Sequence, residues 1–192
     1  HSQCKDPRVN TSADYVRENW KQAKDPYTLA IVANALVGAD SLKGRGELTG
    51  TTQEVLKTLI GMAKTEGDQM WWESSIGGVT NSTGKSADLE ATGMAVLALL
   101  RGGHHSTEAS KVLNYLVANK DPRGTWFSTN ATIFALRALV MAQKEATTRD
   151  TNAEITITVN GERAAAFAIT PEDADVMRAI DCRQFVKPGA NK

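Results

Sequence analysis

Thr92-Gly93-Met94-Ala95-Val96-Leu97-Ala98-Leu99-Leu100-Arg101 decides the fold. The stretch is apolar on nearly every side, with small residues on one face. Such a helix is buried, with neighbours packed close against its alanines. Two further segments align with it on the threonine: Thr28 to Val37 and Thr132 to Met141. All three segments are rich in alanine and leucine, which makes them an internal repeat. Short polar residues precede each one, namely Asp25-Pro26, Ser86 with Asp88, and Ser128-Thr129-Asn130. These are expected to cap the helix starts, with Pro26 in a first turn.

Amphipathic segments lie between the apolar ones. Val16, Trp20 and Ala23 follow Ser12 at helical spacing. Leu56, Leu59, Ile60 and Ala63 follow Thr51-x-x-Glu54, which reads as a capping box. Val112, Leu113, Leu116 and Val117 follow Ser106, with Lys111, Asn114 and Lys120 on the opposite face. The order along the chain is outer, inner, outer, inner, outer, inner. The fold expected over residues 1–146 is therefore mainly α, about three helical hairpins stacked as a curved two-layer arc.

The pattern changes after residue 146. Thr147 to Asn152 is a polar linker. Ile155, Ile157 and Val159 then alternate with threonines, and Asn160-Gly161 signals a tight hairpin. Ala164 to Ile169 supplies the partner strand, with Phe167 and Ile169 on one face. Thr170-Pro171-Glu172-Asp173 reads as a turn, and Lys187 to Lys192 as a solvated tail. Residues 147–192 are thus a linker and the first strands of a β-domain, since a lone hairpin is marginal in water.

Composition excludes several function classes. Lys and Arg number 22, Asp and Glu 22, so the formal net charge is zero. A nucleic-acid clamp or polybasic membrane patch needs a basic surface. The longest apolar run is far short of the roughly 18 residues that cross a bilayer. The chain starts His1-Ser2-Gln3-Cys4 without an initiator Met and reads as a piece of a longer one. Cys4 and Cys182 are open either to a disulfide or to two unpaired structural roles, and no Cys/His spacing for zinc exists. Asn10, Asn81 and Asn130 head N-x-[ST] triplets.

Alternating inner and outer helices are shared by α/α-toroids generally. The residues resemble more specifically the thioester-containing domain of the alpha-macroglobulin and complement proteins. The resemblance lies in Asp25 to Ala30, in Asp88-Leu89-Glu90-Ala91-Thr92 leading into Ala95 to Leu100, and in Gly124 to Thr132. That last segment departs from the family's usual Gly-Gly-Trp/Tyr-Gly-Ser-Thr-Gln-x-Thr at Thr125, Phe127 and Asn130. The strands that follow resemble the start of the family's β-sandwich. The resemblance implies the later half of a toroid from an endopeptidase-trapping protein that works outside the cytoplasm, whether secreted, periplasmic or surface-anchored. Family chemistry rests on Gly-Cys-Gly-Glu-Gln, whose Cys and Gln side chains close a thioester. Cys4 is followed by Lys5-Asp6, and no such segment occurs. The fragment is expected to be no enzyme and to need no cofactor. Its expected partners are the rest of its parent chain or a second copy, and target proteases through the parent.

Candidate binding residues follow from that arrangement. Tyr27, Thr28, Thr92, Ser128 and Thr129 should gather with Thr132 at one rim of the arc. Trp71 and Trp72 open a Gly/Ser/Thr-rich loop running to Ser86, where aromatics either stack on a partner or plug the end of the helical barrel, as Trp126 would in the equivalent place. His104-His105 with Glu108 reads as a solvated loop rather than a metal pair. Asp88 and Glu90 lie at i and i+2, which do not share a helix face, so an acid pair is disfavoured. Two other classes fit the sequence less well: a toroid enzyme, such as a prenyltransferase, cyclase or glycosidase, and a helical-repeat scaffold. The first lacks an Asp-rich diphosphate motif. The second needs a regular period near 34 residues, whereas the aligned threonines lie 64 and 40 apart. A half-ring should leave an uncovered flank at each end, with Trp20, Ile133 and Phe134 on those flanks.

Overall fold

The computed structural model describes residues 8–42, 47–79, 81–148, 153–170 and 179–192. Six α-helices occur among them: α1 (Arg8–Asn19), α2 (Pro26–Leu42), α3 (Gly50–Gly61), α4 (Lys85–Gly102), α5 (Ser106–Ala118) and α6 (Thr129–Thr148). A single 3-10 turn, Trp20–Gln22, follows α1. The chain divides into two compact units, His1–Ala142 and Gln143–Lys192.

In the first unit α2 and α4 lie side by side, with α1 and α3 against α2 and α5 against α4. The quoted stretch behaves as its composition dictates: every residue from Leu89 to Leu100 is buried. Close packing against α6 explains Gly93, where a Cβ would stand 2.8 Å from Phe134 Cβ. The outer helices each bury one stripe, such as Val55, Leu56 and Leu59 on α3.

Asp40 fastens the outer layer to the inner one. It is 3% exposed. Its Oδ2 accepts from the Thr49 N–H, Thr49 Oγ1 and Thr52 Oγ1 (2.9, 3.0 and 2.6 Å), and its Oδ1 takes the Arg17 guanidinium at 2.7 Å. Burial pushes its carboxyl up, but these donors outweigh it and hold the group below the usual carboxylate value.

Several sequence expectations need correction here. Thr51 does not cap α3; Thr49 occupies that position, its hydroxyl turned to Asp40. Asp88 does not cap α4, whose N-cap is Gly84 in a left-handed conformation at φ 54°. Ser106 is already helical, with His105 ahead of it. Trp20 is buried at 8% rather than uncovered, and Phe134 is half-buried against α4, whereas Ile133 is exposed as expected. The Thr132–Met141 helix is not buried all round, because Leu136 and Val140 also face out. The segment between α3 and α4 contains a short antiparallel hairpin, β1 (Lys64–Glu66) and β2 (Gln69–Trp71).

The second unit carries an antiparallel hairpin, β3 (Ala153–Val159) and β4 (Glu162–Ile169). It turns at Asn160-Gly161 with φ 55° and 86°, as the Asn-Gly pair predicts. Ile155 pairs with Phe167, and a register shift lies between Ile157 and Thr158. The tail is not merely solvated. Asn160 donates its N–H to Lys192 O at 2.8 Å, and its side-chain amide binds Phe185 O and Asn191 Oδ1. Cys182 is half-buried and free, while Cys4 and the Pro171–Asp173 turn lie outside the described residues.

Candidate functional site

The N-terminal ends of α2, α4 and α6 converge on one buried carboxylate, Glu90. Tyr27, in the first turn of α2, donates its hydroxyl to Glu90 Oε2 at 3.3 Å, and Ser128, just ahead of α6, donates to Oε1 at 2.9 Å. Glu90 is wholly buried and Tyr27 nearly so. The Tyr27 oxygen also accepts the Val79 N–H at 3.0 Å. Burial and the neighbouring Glu90 charge raise the Tyr27 phenol above its ordinary value. Gly78 lies against this node, and a Cβ there would overlap Ser82 Oγ and Glu90 Oε2. Ser128 accepts the Ala131 N–H with the same oxygen, so it is the α6 cap and the Glu90 ligand at once.

A second carboxylate anchors the loop that covers this rim. Asp25 caps α2 by accepting the Tyr27 N–H at 2.8 Å. It also accepts from Ser74 Oγ, the Ser75 N–H and Ser75 Oγ, all within 2.9 Å. Burial pushes its pKa up, but the Ser75 and Tyr27 N–H groups with the two serine hydroxyls leave it lowered. Asp88 accepts the Ser74 N–H. Its pKa is raised, first by burial and further by the Glu73 and Asp25 charges. Asp88 and Glu90 thus serve different contacts. The loop turns Ile76 and Val79 outward, 44% and 79% exposed.

The tryptophans form a repeated unit. Trp72 is 0% exposed; its indole N–H donates to Leu59 O at 2.6 Å and its backbone N–H to Thr92 Oγ1 at 3.1 Å. Trp126 is 1% exposed; its indole N–H donates to Leu116 O at 2.7 Å and its backbone N–H to Thr132 Oγ1 at 3.2 Å. Each indole plugs the end of an outer helix and binds a carbonyl of its last turn, where intrahelical donors run out. Both are packed inward rather than presented for stacking. Trp71, half-exposed, stacks on Tyr115 with centroids 5.0 Å apart. Thr28 is half-buried, and Thr129 is exposed beside an open cavity of about 610 Å³ lined also by Phe127, Ser128, Thr132 and Ile133. Tyr27 and Ser128 therefore meet on Glu90, while Thr92 and Thr132 each hold the backbone of one tryptophan. Phe127 occupies the cavity edge at φ 63°, a left-handed conformation costly for an aromatic residue, with Lys85 Nζ 5.3 Å from its ring. His105 Nδ1 lies 4.0 Å from Glu108.

Sequence reasoning missed Asp25 as a loop anchor and Glu90 as a hub. It also missed β1–β2, although Gly67-Asp68 is a two-residue hairpin signal. The all-exposed Lys64-Thr65-Glu66 strand shows no apolar alternation, which hid it.

Inner helices α2, α4 and α6 whose N-terminal ends meet on Glu90, with a buried tryptophan ahead of each of the later two, are the arrangement that the resemblance to a thioester-containing domain led one to expect. Residues 1–141 match the A-macroglobulin TED domain, and the chain belongs to that family. Among similar proteins, complement C3 of Naja naja is 26% identical over 180 residues, covering 93% of this chain and 10% of its own length. A.superbus venom factor 2 of Austrelaps superbus is 28% identical over 185 residues, covering 95% and 10%. The chain thus spans about a tenth of the length of the curated relatives it matches.

Proposed function

We propose that this chain is a non-catalytic part of an alpha-macroglobulin-like protein that acts, at full length, as an endopeptidase trap outside the cytoplasm. The supporting observation is how the rim spends its polar groups. Asp25, Asp88 and Glu90 hold helix ends and the covering loop together, and Trp72 and Trp126 are sealed into the core. The rim is a joint between structural elements, and chemistry is left to other parts of the parent. In this reading Tyr27, Thr92, Trp72, Trp126 and Ser128 build the joint, while Trp71, Thr28 and Thr129 remain accessible to the rest of the parent chain. Membership of the family supports the reading, and no described helix is long and apolar enough to cross a membrane.

The full-length parent should be incubated with serine, cysteine, metallo- and aspartic endopeptidases. Loss of activity toward a protein substrate is expected for at least one class. Undiminished activity in all four would overturn the proposal. Hydrolysis of ester or glycoside substrates by the isolated chain would overturn its non-catalytic half.

A further inference from the structure

The Asn160-Gly161 turn that joins β3 to β4 also carries a reaction. Gly161 is exposed, and a Cβ there would meet nothing within 4 Å. Its backbone nitrogen is therefore open to close approach by a neighbouring group. That nitrogen can attack Asn160 Cγ and close a cyclic imide. The N–Cγ bond forms, the Cγ–Nδ2 bond breaks, and Nδ2 leaves as ammonia with the proton that Gly161 gives up. Water then adds to one imide carbonyl and opens the ring, leaving aspartate or isoaspartate. Ring closure requires the Asn160 side-chain amide to swing onto its own following peptide.

Residues 185–192 restrain that swing. Asn160 Nδ2 donates to Phe185 O and to Asn191 Oδ1, both at 2.8 Å, which uses both of its protons. Asn160 Oδ1 accepts the Lys192 N–H at 3.1 Å, and the Asn160 N–H donates to Lys192 O at 2.8 Å. Asn191 is fixed in turn by its own loop. Its Oδ1 also accepts the Lys187 N–H at 2.8 Å, and its Nδ2 donates to Lys187 O and Gly189 O, each at 3.0 Å. Those bonds decide which way round the Asn191 amide sits, so that it presents an acceptor to Asn160. Asn160 is half-buried under this cover.

We propose that Asn160 is a site of spontaneous hydrolytic deamidation, that residues 185–192 hold it in check, and that its conversion releases them. On conversion to aspartate the donor at Nδ2 becomes an oxygen without a proton, facing Phe185 O and Asn191 Oδ1. Both contacts then set acceptor against acceptor, and the new carboxylate is charged at neutral pH. Asn191 cannot turn its amide round to meet that charge without giving up its bonds to Lys187 and Gly189. Isoaspartate adds a methylene to the main chain at the turn itself. The step runs one way, since ammonia is lost, so each molecule passes once from a held to a released segment. The inference is independent of the trap reading, since it rests only on the second unit.

Peptide mapping by mass spectrometry should follow the full chain in mildly alkaline buffer, where the attacking nitrogen loses its proton more readily. Each converted Asn160 gains the mass difference between an amide and a carboxyl group. The folded chain should convert more slowly than the same chain unfolded in urea. Asn191→Ala, at an exposed position outside the strands, removes one acceptor and should speed conversion by about 5-fold or more. Equal rates in wild type and Asn191→Ala overturn the proposed restraint, as do equal rates in folded and unfolded wild type. No conversion even in the unfolded chain overturns the site itself. Asn160→Asp imitates one product at a left-handed position that Asp also tolerates. It should speed amide hydrogen exchange at Lys187 and Lys192 while the β3–β4 pairing stays protected. Unchanged exchange at those two amides overturns the release.

Discussion

Phe127 and the two plugging tryptophans show how single residues set local energies. A left-handed φ of 63° costs Phe127 about 1–2 kcal/mol. The Lys85 ammonium over its ring returns about 0.5–1 kcal/mol. Phe127→Gly should therefore stabilise slightly, raising Tm by about 1–3 °C, whereas Phe127→Ala keeps the strain, loses the ring and should lower it. Thermal unfolding of both variants checks the pair. Trp72 and Trp126 make matching bonds, so Trp72→Phe and Trp126→Phe should each cost about 1–3 kcal/mol by stripping a buried carbonyl of its donor. Urea unfolding would expose a clear inequality, which would mean that the two plugs are not equivalent. Both tryptophans were legible as plugs of the helical barrel, Trp126 just ahead of an apolar segment and Trp72 as one of two readings of its loop; of the adjacent pair Trp71 and Trp72, the sequence did not say which one turns inward.

Between elements, carboxylates decide how the rim loop and helices hold together. Asp25 has a lowered pKa, so its contribution is present above the ordinary value of 3.8 and is lost as pH falls through its folded value. Asp25→Asn should destabilise at pH 7, and the difference from wild type should shrink below about that pH. Asp88 has the opposite sign. Its raised pKa means that the folded state favours the protonated form, so the charged form is a burden at neutral pH that fades on acidification. Asp88→Asn, which keeps an oxygen for the Ser74 N–H, should stabilise at pH 7 and lose that gain as pH drops. Denaturant titrations across pH 3–7 (a range chosen to bracket the roughly 4 of a free carboxylate) check both signs. At the α4–α6 contact, Gly93→Ala should cost about 1–3 kcal/mol through overpacking against Phe134.

At the scale of the whole chain, the sequence holds no Cys-x-x-Gln pair that could close a thioester. Cys4 is followed by Lys5-Asp6-Pro7 and Cys182 by Arg183-Gln184-Phe185. Intact mass should be unchanged after methylamine treatment. A gain matching methylamine incorporation would show an acyl group that this reading denies.

Helix number and order, the alternation of buried and half-wet helices, and the Asn160-Gly161 hairpin follow from the sequence alone. All are local: a period of 3.6 or 2, a run of alanine and leucine, a turn that only small or amide residues enter readily. Family membership was legible for the same reason, in the residues that open the inner helices. The destination of each polar group was decided only by tertiary structure. Asp88 and Asp25 look like equal caps in sequence, yet one caps α2 while the other receives a loop N–H from 14 residues away. Glu90 lies inside an apolar run with no local partner, and its two hydroxyl donors come from 63 and 38 residues away. Likewise Thr132 to Met141 reads like its buried counterparts but keeps one bare face, because burial depends on which neighbours are present and not on the helix's own residues. A buried polar group must find a donor wherever the packed chain brings one, and sequence spacing does not encode that distance.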